Sequence, residues 1–179
     1  VYNVLKNLKE GHIDMLSEIG NIGAGNANTA LSQLLNKRID MDVPTVKITD
    51  FEEMADALGG PENLVVGILI NVSGDVNGMM ILAFEQTSAH KLVNILLGKE
   101  LDNFEAFTEM DLSALYEIGN ILASSYLSSL ATITKLSMQP SVPHMAIDMA
   151  GAILSVPAIE FGKTDDKVLL IKTEFAEGK

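Results

Sequence analysis

A chain of 179 residues with 47% hydrophobic residues is long enough to bury a core and too apolar to be disordered. Its formal charge of −12 disfavours nucleic acid and anionic membranes as partners, and the absence of cysteine excludes disulfides, thiolate chemistry and cysteine-based zinc sites. The longest apolar run, residues 64–72, is far short of the roughly 20 residues of a membrane helix, and no signal-peptide pattern opens the chain, so the expected location is cytoplasmic.

In chain order, apolar spacing predicts a long helix over residues 8–36 and a strand over 43–49. A short amphipathic helix holds Phe51, Met54 and Leu58 and ends at Gly59-Gly60-Pro61. Strands over 64–72 and 76–84 flank a turn at Ser73-Gly74-Asp75, as a hairpin does. A helix over 87–97 closes at Gly98, a C-cap candidate. Thr108 can cap a second long helix over 109–136, with Asp111 as the acidic partner of a capping box. A strand begins near Pro143 and another covers 167–175.

The chain contains itself twice. Leu16-Ser17-Glu18-Ile19-Gly20-Asn21-Ile22 returns 99 residues later as Leu115-Tyr116-Glu117-Ile118-Gly119-Asn120-Ile121, and the same offset carries Val43-Pro44 onto Val142-Pro143. A recurring helix pattern explains the apolar spacing but not the identical Glu, Gly, Asn and Pro. The expected fold is α+β: a single domain over 1–179 built from two pseudo-symmetric repeats, about 8–98 and 108–179, with the long helices packed on a shared antiparallel sheet. The second repeat lacks counterparts of the strand at Val76 and the helix at Thr87, so the native protein is expected to continue past Lys179 or to complete that edge otherwise.

At about 100° per residue, Asp14, Asn21, Gly25 and Asn28 fall within about 80° of Glu18, opposite Leu16, Ile19, Gly23, Ala27, Ala30 and Leu34. On the second helix Ser113, Glu117, Asn120 and Ser124 share one stripe, opposite Leu115, Ile118, Leu122 and Tyr126. Most such stripes are solvated faces. Against that reading, five residues of the segment 20–26 are Gly or Asn, each costing up to about 1 kcal/mol relative to alanine in a helix, and the repeat retains Glu, Gly and Asn. The small residues Gly25 and Ser124 leave room for another molecule to approach. Gly20, Gly23 and Gly25 are in the wrong order for a dinucleotide fingerprint and follow no strand. His12, His90 and His144 lack metal-ligand spacing, so neither metal nor cofactor is expected on this chain.

These residues resemble the signature of the CheC, CheX and FliY family of chemotaxis phosphatases: Asp or Ser, three residues, Glu, two residues, Asn, about twenty-two residues, Pro. The signature is present as Asp14, Glu18, Asn21 and Pro44, and again as Ser113, Glu117, Asn120 and Pro143. Two copies in one chain are the pattern of the CheC branch. The resemblance implies hydrolysis of the aspartyl phosphate of the response regulator CheY. In that scheme Glu18 and Glu117 pair with a lysine of the regulator, and Asn21 and Asn120 orient the attacking water. Pro44 and Pro143 close the motif structurally, and Asp14 and Ser113 support the helix start or the docking surface. Mg²⁺ is expected on the regulator, and CheD, a deamidase, as a second partner. A carboxamide suits the task because it accepts a hydrogen bond from water and donates one to a phosphoryl oxygen without titrating. The alternative is a binding module that captures phosphorylated CheY or CheD without hydrolysis, as related flagellar switch domains are thought to do.

Overall fold

The computed structural model describes residues 10–42, 45–101, 104–161, 167–172 and 175–177. The first long helix, α1 (Glu10–Leu35), leads into β1 (Ile39–Met41) and β2 (Thr45–Asp50). The Asp50 carboxylate accepts from the Glu53 N–H and starts α2 (Phe51–Ala57), which ends before Gly59 and Gly60 at positive φ. The hairpin is β3 (Leu64–Gly74) and β4 (Gly78–Glu85), its turn at 75–77 rather than at Ser73-Gly74-Asp75. Then α3 (Gln86–Leu97) stops at Gly98, whose φ of 67° is the left-handed cap the sequence predicts.

Thr108 starts α4 (Glu109–Thr134) through the expected capping box with Asp111. The helix ends at Lys135 (φ 61°), the repeat counterpart of Asn36 (φ 48°) after α1. There follow β5 (Met138–Pro140), β6 (His144–Met149), α5 (Ala150–Phe161), β7 (Lys167–Lys172) and β8 (Phe175–Glu177). Periodicity does not foresee β1, β5 or α5. The first two are three residues long, and α5 is apolar on all sides with Pro157 inside it. The repeat offset does locate α5, because Ala150 stands 99 residues after Phe51 at the start of α2.

Apart from the β3–β4 hairpin, the described strands pair across the repeats. β6 and β5 of the second repeat both lie antiparallel to β3 of the first, with Leu64 opposite Met149 and Val72 opposite Pro140. Symmetrically, β2 and β1 of the first repeat pair with β7 and β8 of the second, with Asp50 opposite Lys167 and Met41 opposite Phe175. So β7 and β8 together do for the second repeat what β3 does for the first. Among the described residues the strands form three sheets: β4 and β3 with β5 and β6, β2 with β7, and β1 with β8. β4 lies on the outer side of β3, and no described strand holds the matching place beside β7.

The two long helices cross each other and rest on different ladders. Gly20 of α1 lies against Val46 of β2 and Ile171 of β7; its repeat mate Gly119 of α4 lies against Ile68 of β3. At the crossing, Gly23 faces the ring of Tyr126, and their repeat mates Leu122 and Ala27 share one buried cluster with Leu31, Leu35, Ile39 and Ile118. The large residue is on α4 in both pairs and the small one on α1. That is the physical reason the second repeat replaces Gly23 by Leu122. A hydrogen bond from Asn26 Nδ2 to Ser129 Oγ (2.8 Å) ties the helices further. Leu31, Leu115 and Ile118 are fully buried, each contributing about 1.5–3 kcal/mol by removal from water.

Candidate functional site

On α4 the predicted stripe is intact. Ser113, Glu117, Asn120 and Ser124 are all exposed, while Ala114, Leu115, Ile118, Leu122 and Ala123 on the other side are buried. Glu117 and Asn120, three residues apart, are neighbours on this face. The helix is held from below by Gly119, whose lack of a side chain lets it settle on Ile68 of β3. Pro143 is half-buried in the turn between β5 and β6. Tyr116 connects that turn to the helix: its Oη accepts a hydrogen bond from the Met145 N–H at 3.3 Å. Sequence reasoning passed over Tyr116, although its spacing of four residues from Asn120 was legible as a shared face.

On α1 the stripe is only partly presented. Asp14 and Glu18 are exposed. Asn21, expected on the exposed side, is half-buried, and its Oδ1 is shielded from solvent without a hydrogen-bond partner. Asn28 belongs to the fold: its Nδ2 donates to the Ile39 carbonyl (3.1 Å) and fastens α1 to β1. Pro44 lies outside the described residues. Met15 (61% exposed) and Ile22 (40% exposed) give this copy an apolar border beside Glu18, where α4 has the buried Ala114 and the half-buried Ile121.

The glycines divide by purpose. A methyl group at Gly20 would meet Val46 Cγ2 at 2.9 Å, and one at Gly23 would meet the Tyr126 ring at 2.9–3.1 Å, so both serve packing. Gly25, by contrast, faces open space, as the expectation of room for an approaching molecule requires. Asp14 and Ser113 stand one turn before the glutamates on the exposed face. For α4 the helix start is held instead by Thr108 and Asp111.

Electrostatic perturbation lies away from both stripes, where α3 meets the start of α4. Asp111 is buried and bonded to the Lys99 ammonium and to the Thr108 N–H (2.9 Å) and hydroxyl. Burial works to raise its pKa, but the bonds from Lys99 and Thr108 outweigh it, and the carboxyl titrates below its ordinary value. His90, buried and stacked on Phe107 at 3.9 Å with Phe104 edge-on, is held below its ordinary pKa mainly by desolvation. At the helix crossing, burial pushes the Tyr126 phenol up to about 12. Among the described residues no cluster of acidic and histidine side chains could hold a metal ion, and no helix is long and apolar enough to cross a membrane.

Residues 12–48 and 110–145, which bracket both stripes and both prolines, match the CheC-like family. The chain is 39% identical over 173 residues to the CheY-P phosphatase CheC of Bacillus subtilis, covering 96% of this chain and 83% of that protein. It is 30% identical over 142 residues to the flagellar motor switch phosphatase FliY of the same organism, covering 79% of this chain and 37% of that longer protein. The crystal structure of Thermotoga maritima FliY superposes with a TM-score of 0.76 at 23% identity, covering 96% of this chain and 85% of that one.

Proposed function

The chain belongs to the CheC-like family and is a phosphatase, and we propose that it hydrolyses the aspartyl phosphate of a CheY-type response regulator through Glu117 and Asn120, with Glu18 and Asn21 as a second, weaker copy. The observation that carries this reading is the exposed stripe of Ser113, Glu117, Asn120 and Ser124 on a helix whose opposite face is buried.

Glu117 offers a carboxylate to a lysine of the regulator. That pairing aligns α4 over the partner and brings Asn120, one turn further, to the phosphoryl group. The amide oxygen of Asn120 accepts a hydrogen bond from the attacking water while its NH₂ donates one to a phosphoryl oxygen, fixing an in-line approach. Mg²⁺, carried by the regulator, supplies the neutralising charge in this scheme, and the chain itself supplies position. Ser124 and Gly25 keep the next turn of each helix low. The net charge of −12 favours a partner whose docking surface is basic. CheD enters as a second proposed partner that modulates the reaction.

The buried Oδ1 of Asn21 favours a different emphasis for the α1 copy alone. There Glu18, Met15 and Ile22 can hold a regulator while the asparagine is poorly placed to orient water. The test is the lifetime of the phosphoryl group on purified CheY, with the wild type, Asn21→Ala, Asn120→Ala and the double variant. Asn120→Ala is expected to remove most of the acceleration and Asn21→Ala the smaller part. The double variant should lose about 10²-fold or more, the scale of removing a positioned polar group from a transition state. Full activity in the double variant would refute the assignment, and unchanged lifetimes with wild-type binding would favour a capture module.

A further inference from the structure

Among the differences between the two copies of the stripe is a neighbour of the asparagine that the signature does not include. Tyr116 stands four residues before Asn120, and Ser17 stands four residues before Asn21. Residues four apart on a helix lie one above the other, with Cβ atoms about 6 Å apart. Tyr116 spans from α4 to the edge of β6, where its Oη takes the Met145 N–H at 3.3 Å. That bond links the ring, itself 39% exposed, to the strand that follows Pro143. Above this ring Asn120 is exposed; above Ser17, itself half-buried, Asn21 has sunk until its Oδ1 is shielded and unpartnered. A buried amide oxygen without a donor costs on the order of 1–3 kcal/mol, so packing in that copy overrides the polar preference of the group.

We propose that Tyr116 is a positioning residue: its ring fills the space between α4 and β6 that Asn120 would otherwise enter, and so keeps the amide presented to the partner. Ser17 is too small to do this for Asn21. The inference rests on the reading of Asn120 as the water-orienting group and adds the residue that determines how well each copy can perform that task.

The experiment isolates the α4 copy in an Asn21→Ala background and measures kcat and KM on phosphorylated CheY. Tyr116→Phe keeps the ring and is expected to retain kcat within about twofold, since the bond it loses is exposed and the Met145 N–H can turn to water. Tyr116→Ser is expected to lower kcat about tenfold with KM changed less than twofold, because a displaced amide fails to orient water while Glu117 still docks. An unchanged kcat in folded Tyr116→Ser, alongside an inactive Asn120→Ala control, overturns this inference and leaves the site reading standing. A rise in KM alone also overturns it, since it would make Tyr116 a contact surface. An active Asn120→Ala control removes the site reading and the inference together. If Tyr116→Ser does not fold, Ser17→Tyr in the Asn120→Ala background decides. A severalfold rise in kcat of the α1 copy supports the proposal, and no change in the folded variant overturns it.

Discussion

Gly20 and Gly119 occupy equivalent places in the two repeats, each beneath an asparagine of the proposed site and each against a strand residue, Val46 or Ile68. Gly25 lies on the same helix as Gly20 but meets nothing within 4 Å. The same substitution therefore has opposite signs at different glycines. Gly119→Ala forces a methyl group into Ile68 and is expected to destabilise the protein by about 1–3 kcal/mol. Gly25→Ala relieves a helix of glycine in open space and is expected to stabilise it by up to about 1 kcal/mol. Urea midpoints at constant m-value test both. Equal effects would mean that the glycines act through helix propensity alone.

At the scale of elements, the junction of α3 and α4 holds the protein's perturbed acid and base. The Asp111 pKa is depressed in the fold, so its contribution is complete above the unfolded value near 4 and is lost as pH falls through the folded value. His90 is also depressed. Below about pH 6.5 the unfolded chain takes up a proton that the folded one refuses, and stability declines. Urea midpoints measured from pH 8 downward are expected to fall in two stages, the first absent in His90→Gln. An unchanged first stage in that variant would place its origin elsewhere. The same junction supplies the cap of α4: Thr108→Ala is expected to cost about 1 kcal/mol, read from thermal denaturation at pH 7, and an effect below 0.3 kcal/mol would deny the capping box that role.

The whole molecule is an exchange of strands. β5 and β6 complete the surroundings of β3, while β1 and β2 pair with β7 and β8, so apart from the β3–β4 hairpin each described strand finds its partner in the other repeat. Cutting between Leu101 and Phe104 would leave both halves with unpaired edges and an uncovered helix crossing. Separately expressed halves are expected to lack a cooperative unfolding transition, and mixing them at equal concentration to restore one. A cooperative transition in either half alone would show that the repeats are autonomous. The exchange also explains why the repeats are unequal where the helices cross: Tyr126 needs Gly23 opposite it, and Leu122 lies in the cluster that contains Ala27. Identical residues at both crossing contacts would either collide or leave a void.

Local chemistry made much of this legible in the sequence. The Thr108–Asp111 box, the left-handed cap at Gly98 and the long amphipathic helices depend on residues a few positions apart, and so did the spacing of Glu117 and Asn120 on one face. Repetition made the pseudo-symmetry visible as well. What depended on contacts between distant segments was not legible. The strand exchange pairs residues up to more than a hundred positions apart, and the apolar sequence of α5 carries no period of its own. The roles of Gly20 and Gly23 came from the segments packed against them. The two asparagines share the segment Glu-Ile-Gly-Asn-Ile, so their different exposure comes from the residues that flank it and the segments packed against each helix. An i,i+3 spacing specifies a face of a helix, whereas what covers that face is decided by whichever other segment the fold brings against it.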